Sequence, residues 1–368
     1  MRILYDDQIF ARQRFGGISR YFVELIARLG AQRDFEVVAF EGWTINGYGL
    51  ARHSPALKGY VGARRPQVGG RPLPLGSYVS EAWLRAWALG RQFDIYHPTY
   101  YRPSYHAVKA RARVLTVYDM IHELFPQGFS RRDPTTRQKR RAIGAADAII
   151  AISENTRADL VRLFEIPANR VDVIYLGSSI DQVVAVAPPR PLAAPYLLFV
   201  GDRRAYKNFG LLVRAFARSR SAQELSLVSV GGGAFTKGEQ ALLDECGVRG
   251  RVSQYTASES ELRWLYEHAV AFVCPSLYEG FGIPALEAMT LGCPVVCSNV
   301  SSLPEVVGDA AALFDPADVE CLQQALVRVV DDQSYRAQLS ARGRLRASTF
   351  SWQRCADETA ALYRRLGA

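Results

Sequence analysis

Residues 276–292 read Ser-Leu-Tyr-Glu-Gly-Phe-Gly-Ile-Pro-Ala-Leu-Glu-Ala-Met-Thr-Leu-Gly and set two carboxylates, Glu279 and Glu287, around a glycine-rich turn. Gly280 and Gly282 have no Cβ and can adopt positive φ. Pro284 suits the first turn of a helix, where its missing N–H is not needed. A helix is therefore expected from about Pro284 to Leu291. Its open amino end offers N–H groups and a positive dipole to a phosphate, and Glu287, expected in the first turn, can accept hydrogen bonds from hydroxyls beside that phosphate. Such a site suits a nucleoside diphosphate sugar. Without a ligand, the same residues would make an ordinary capped helix start, with Glu287 only complementing the dipole.

Working outward, short β-branched runs alternate with amphipathic stretches along the whole chain, the pattern of βα units and parallel sheets. Strands are expected at 2–5, 37–40, 95–97, 114–117, 148–152 and 171–174, and again at 196–200, 225–230, 252–255, 271–274, 295–297 and 311–314. The 368 residues exceed what one core usually supports, so two domains follow. Residues 1–184 form the first and 196–349 the second. Between them, 185–195 carries four prolines and reads as a linker. Residues 42–80 mix Gly and Pro with aromatic and basic residues and read as an irregular insertion or mobile loop. Residues 350–368 form a closing amphipathic helix.

Five further places lie at or beyond strand ends. Gly16-Gly17 precedes a helix, Ile18 to Leu29, and lets the backbone approach a ligand. After the strand at 196–200, Gly201-Asp-Arg-Arg-Ala-Tyr-Lys-Asn208 supplies cations, of which Arg203 and Lys207 are the candidates to stabilise a departing diphosphate, with Arg204 as a substitute for Arg203. Gly231-Gly232-Gly233 follows the next strand as the turn beside a nucleoside or as a tight connection. In the first half, Tyr118-Asp119-Met120-Ile121-His122-Glu123 and His97-Pro98-Thr-Tyr-Tyr lie at the carboxyl ends of strands, where open α/β sheets bind ligands.

Glu279-Gly-Phe-Gly-Ile-Pro-Ala-Leu-Glu-Ala-Met289 resembles the E-x7-E signature of the retaining glycosyltransferases of family 4. Gly-x-Arg-x-x-x-Lys-Asn at 201–208, the Gly16-Gly17 loop and Phe-Ser-Trp before the last helix are similar to that family too. The resemblance implies an α/β protein of GT-B architecture: two Rossmann-like domains with parallel sheets facing across a cleft, the first binding acceptor, the second donor, and the last helix crossing back to the first. It implies that Glu287 holds the donor ribose and Glu279 contacts the transferred sugar. The backbone of Gly280, Phe281, Gly282 and Ile283 would face sugar and diphosphate, with Gly16, Gly17, Gly201 and Gly232 as further donor contacts. Arg203 and Lys207 become the diphosphate clamp. The family often has His where this chain has Tyr118, so Asp119 and His122 are candidates for that role, while His97 and Tyr118 are expected to touch the acceptor.

The activity so implied is retaining, metal-independent transfer of a hexosyl group from a nucleoside diphosphate sugar, the sugar nucleotide being substrate and no cofactor being needed. The Asp-Asp-Gln, Phe-Gly-Gly-Ile-Ser-Arg-Tyr and Val-Tyr-Asp-Met-Ile-His-Glu-Leu-Phe segments resemble bacterial enzymes of surface polysaccharide synthesis. This favours GDP-mannose or GDP-rhamnose and a lipid-linked or glycan acceptor. The alternatives are a sugar-nucleotide 2-epimerase or a glycogen-phosphorylase-like enzyme on the same fold, and a two-lobed binding protein without chemistry.

Charge narrows the partners. Residues 1–189 hold 26 Lys+Arg against 17 Asp+Glu, and 190–368 hold 19 of each, so the whole net +9 lies in the first half. Between Lys109 and Arg141 nine basic residues face three acidic ones. Such a surface seeks an anionic partner: an anionic membrane is the expected one, a lipid-diphosphate acceptor or a merely solvated helix face are the alternatives, and nucleic acid ranks last for lack of any matching signature. No apolar run reaches the roughly 20 residues that span a bilayer, and the amino terminus lacks a signal-peptide core, so a cytoplasmic protein peripheral to the inner membrane face is expected. All six cysteines lie in the second half without a Cys-x-x-Cys pair and read as buried thiols. Oligomeric state is not legible.

Overall fold

A computed structural model describes residues 1–50, 59–68, 71–72, 76–101, 107–190, 192, 195–219 and 224–367. The chain forms two compact units: Met1–Glu123 with Ser130–Leu176 and Trp352–Ala368, and Leu124–Phe129 with Gly177–Ser351.

In the first unit β1 (Arg2–Tyr5), β2 (Glu36–Thr44), β3 (Gly59–Arg64), β6 (Gln92–His97), β7 (Lys109–Val117), β8 (Ala148–Ala151) and β9 (Val171–Val173) form one sheet. A two-stranded hairpin, β4 (Gln67–Val68) and β5 (Arg71–Pro72), stands apart from it. The sheet order is β3-β2-β1-β6-β7-β8-β9, with every pairing parallel. Its inner strands, such as β1 and β8, read as apolar runs because both faces are covered, whereas the edge strand β3 has no buried residue. The helix Gly17–Gly30 buries Phe22, Leu25, Ile26 and Leu29 along one stripe. The last helix, Trp352–Gly367, lies in this unit and buries Trp352, Cys355, Leu362 and Tyr363.

The second unit holds β10 (Tyr196–Val200), β11 (Ser226–Val230), β12 (Val252–Tyr255), β13 (Ala271–Cys274), β14 (Val295–Ser298) and β15 (Ala311–Phe314) in the order β12-β11-β10-β13-β14-β15, again all parallel. Its core packs Leu197, Phe199 and Leu227 against Leu212, Phe216 and Leu326. Both strand orders run outward in two directions from a central strand, so ligand sites are expected at the carboxyl ends where the order reverses.

The structure corrects part of the sequence reading. Residues 42–80 are not an irregular loop where they are described: β2 runs on to Thr44, β3 adds an edge strand, and a helix spans Gly76–Ala88. Residues 51–58, 69–70 and 73–75 lie outside the described residues. The glycines that suggested irregularity fit strand pairing; Gly59 sits opposite Val38, which a Cβ would meet at 3.2 Å. Residues 177–184 group with the second unit, as does the proline-rich stretch, whose Val186 N–H donates to Ser260 O at 3.0 Å. All six cysteines are free thiols. Among the described residues no helix is long and apolar enough to cross a membrane.

Candidate active site

The second unit assembles its polar groups at the carboxyl ends of β10, β11 and β13. Gly201 N–H donates to Val230 O at 2.9 Å and Gly231 N–H to Tyr255 O at 3.0 Å, which laces three strand ends together. Gly231 has φ 95° and passes so close to Gly201 that a Cβ would lie 2.8 Å from the Gly201 carbonyl oxygen. Only glycine fits there.

Lys207 ends the short turn Ala205–Lys207, and Leu277 N–H donates to Tyr206 O at 2.7 Å, tying that turn to the segment leading into Glu279. The Lys207 ammonium consequently sits 2.7 Å from Glu279 Oε1. Ser276 Oγ donates to the same carboxylate oxygen at 2.6 Å, and the Glu279 backbone is pinned by Ser301 and Ser302. Burial disfavours the Lys207 charge, but the Glu279 carboxylate more than offsets it and holds the ammonium above its ordinary pKa. Lys207 is thus a fixed positive charge.

The signature turn leads into a helix at Ile283–Thr290, with Gly282 at φ 96° as its cap and proline in the first turn. A Cβ on Gly282 would come within 2.9 Å of Leu303 Cδ2. Phe281 is 2% exposed and packs edge-on against Phe350. Glu287 lies one turn later than expected: the first turn holds no acidic residue, so its carboxylate does not complement the dipole there. The half-buried Glu287 accepts from the Tyr266 hydroxyl at 3.2 Å.

Arg203 does not stand where the sequence reading put it. Its guanidinium donates to Gly231 O and Gly233 O, each at 2.8 Å, and to Glu239 at 2.7 Å, and lies over the Phe235 ring; its side chain is 3% exposed. Arg203 therefore clamps the glycine turn. A Cβ on Gly232 would meet its Nη1 at 2.7 Å. Arg204 pairs with Asp202 at 3.2 Å, lies over the Phe129 ring at 5.5 Å and keeps a 54% exposed side chain.

In the first unit, Gly16 has extended backbone and opens the helix Gly17–Gly30, its N–H donating to the Tyr48 hydroxyl at 3.2 Å. Asp119 follows β7; its Oδ1 accepts from Ile121 N–H and its side chain is 27% exposed. His122 lies 3.8 Å from Asp133, and burial together with the nearby Lys139 charge holds its pKa below the ordinary histidine value against the pull of Asp119 and Asp133. Asp119 and His122 thus lie close enough to act on one another electrostatically.

His97 and Tyr118 are placed otherwise than expected of acceptor contacts. His97 is fully buried, one ring nitrogen 2.5 Å from the Tyr363 hydroxyl and the other 2.9 Å from Thr116, and burial pushes its pKa down to about 3. Tyr118 is 5% exposed and donates to Thr99 O. Both are core residues. Sequence reading also missed Asp6, fully buried at the end of β1, which accepts from Tyr96, Gln8 and both Thr99 groups. The signal was there: Asp-Asp-Gln directly after an apolar strand. Among the described residues, no group of three or more His, Cys, Asp or Glu converges as a metal site.

A fold of two parallel-sheet α/β units, one carrying a lysine–glutamate pair beside a glycine-capped helix, defines a GT-B glycosyltransferase. The family model described as Glycosyltransferase Family 4 matches residues 15–182, and that described as Glycosyl transferases group 1 matches 186–346. The chain is 31% identical to O-antigen chain mannosyltransferase B of Escherichia coli, over 95% of this chain and 96% of that protein. The chain belongs to glycosyltransferase family 4. Among solved structures, sucrose-phosphate synthase from Thermosynechococcus elongatus superposes with a TM-score of 0.79 at 22% identity over 99% of this chain and 98% of that one. The Anabaena protein HepE, solved with UDP and glucose, gives 0.73 at 18% identity over 99% and 100%.

Proposed function

We propose that this glycosyltransferase moves a mannosyl group from GDP-mannose to a hydroxyl of a growing, lipid-linked surface polysaccharide, with retention at the anomeric carbon and without a metal ion. The observation that carries the reading is the Lys207–Glu279 pair, 2.7 Å apart, at the mouth of the Gly282-capped helix. The full-length likeness to an O-antigen mannosyltransferase supports the choice of sugar and acceptor.

In this reading the diphosphate lies on the amino end of the helix Ile283–Thr290, with Lys207 and Arg204 neutralising the charge that builds as the bond from C1 to the phosphate oxygen breaks. Glu279 leaves its partner lysine enough to accept from a sugar hydroxyl. Glu287 accepts from the ribose hydroxyls. The acceptor oxygen bonds to C1 on the face the phosphate leaves, and its proton passes to the departing phosphate oxygen. Asp119 and His122 orient the acceptor hydroxyl. Neither of the two relatives named with an activity is an epimerase, and incubation with nucleotide sugar alone separates that alternative.

The test has two stages. Thermal shift with GDP, UDP and ADP should single out GDP, since ligand at about 100 times its Kd stabilises by about 2.7 kcal/mol. Transfer from GDP-mannose should then yield an α-linked product by NMR. A β-linked product, or equal response to the three nucleotides, would reject the respective part.

A further inference from the structure

The Asp119–Glu123 segment closes over a lysine that the sequence pattern assigns to a basic surface run. Lys139, on the helix Thr135–Ala145, is fully buried. Its ammonium donates to Asp119 O at 2.8 Å and to Glu123 Oε2 at 2.7 Å, touches Met120 Sδ at 3.8 Å and lies 5.5 Å from the centre of the Tyr101 ring. Taking an ammonium out of water costs several kcal/mol, and an apolar side chain of the same length would fill the space without that cost. What only the charge supplies is direction. It grips residues 119, 120 and 123 of one short segment, and it leaves the side chains of Asp119 and His122 partly exposed, at 27% and 19%. Glu123, whose side chain is 8% exposed, turns one oxygen to Lys139, and its other, Oε1, has no partner among the described residues. That carboxylate is held for its charge.

We propose that Lys139 is a positioning residue for transfer: through Glu123 and the Asp119 carbonyl it sets the segment so that Asp119 and His122 meet the acceptor hydroxyl. This rests on the reading of Asp119 and His122 as acceptor-side groups. An imidazole that accepts a hydrogen bond must be neutral. The charged groups facing His122 are Asp119, Asp133, Glu123 and Lys139; the lysine favours the neutral ring and the carboxylates oppose it.

Kinetics on the full chain, with GDP-mannose as donor and octyl α-mannoside as acceptor probe, decide the matter. Lys139→Met alone leaves Glu123 buried without its cation and can fail to fold, so the deciding variant is the pair Lys139→Met with Glu123→Gln. That double variant should keep its fold by circular dichroism and its GDP affinity, while kcat/KM for the acceptor falls roughly 100-fold, the scale of an ångström-level misplacement. A folded double variant with wild-type kcat/KM would reduce Lys139 to packing and overturn the proposal. Where Lys139→Met folds, its acid limb in the pH–rate profile should move to higher pH, and an unmoved limb also counts against the proposal. His122→Gln and Asp119→Asn separate the two levels. If both transfer at full rate, the acceptor-side reading fails. If both are impaired and the double variant is not, only the role of Lys139 falls.

Discussion

Lys207 and Arg203 stand four residues apart on one loop, yet their surroundings give them different tasks. Lys207 pairs with Glu279 beside the capped helix, and under the proposed function its charge would meet the diphosphate as negative charge develops. Lys207→Ala should lower kcat about 100- to 1000-fold while GDP affinity by calorimetry changes little, the pattern of an interaction made chiefly in the transition state. Arg203 spends its donors on the carbonyls of the glycine turn, so Arg203→Ala should loosen that turn, raising the donor KM and lowering the melting temperature more than it lowers kcat. Equal kcat losses in the two variants would contradict this division. If Glu287 holds the donor ribose as proposed, Glu287→Ala should weaken GDP binding by roughly 1.5–3 kcal/mol. Residue order identified both cations as belonging to one loop, because a strand followed by glycine fixes where the loop emerges. It could not say which way each side chain turns. That depends on carbonyls of Gly231 and Gly233, brought in by a different strand.

At the scale of elements, periodicity and caps were legible and buried polar links were not. The strand Tyr196–Val200 and the helix Gly17–Gly30 follow from unbroken apolar runs and stripes. His97, by contrast, reads as a strand-end ligand in the sequence, and only the distant Tyr363 and Thr116 make it a core residue. Through it the last helix is joined to the sheet: Tyr5 and Tyr363 hydroxyls lie 2.7 Å apart, and Tyr363 meets His97. This link has a pH signature. The folded state keeps His97 neutral down to about pH 3, whereas an unfolded chain protonates it below about 6.5. The unfolded state therefore binds the extra proton, and stability present above pH 6.5 is lost progressively as pH falls toward 3, with a slope of up to about 1.4 kcal/mol per unit. Carboxylates titrate in the same range, so the comparison is with His97→Gln, which keeps hydrogen-bonding capacity without a titrating ring. Denaturant unfolding should show a flatter decline for His97→Gln between pH 6 and 4. Parallel curves would show that His97 carries no linked proton.

For the whole molecule, the one-sided charge is the feature that composition announces and the structure refines. The net +9 belongs to residues 1–189, but the run at 137–141 is not a uniform basic face. Lys139 is buried within it, as the periodicity of a helix dictates for a position three and four residues from the buried Ala142 and Ile143. Arg131, Arg132, Arg137, Arg140 and Arg141 are exposed, and none of them has an ion-pair partner among the described residues. Arginines whose charge is not neutralised by a carboxylate stay attracted to an anionic surface, each contributing on the order of 1 kcal/mol beside acidic lipid, although Arg140 also lies over the Phe164 ring at 4.6 Å. We therefore expect the protein to sediment with liposomes containing phosphatidylglycerol and to be released as salt shortens the Debye length from about 10 Å at 0.1 M to about 3 Å at 1 M. Reversing Arg137, Arg140 and Arg141 to Glu, with Lys139 left in place, should abolish sedimentation while GDP binding by the second unit persists. Including Lys139 in the reversal would place a carboxylate against Glu123 in a buried site, and lost binding would then report unfolding in place of charge. Equal sedimentation with neutral and acidic liposomes, or an unaffected triple variant, would return these arginines to the role of a solvated helix face.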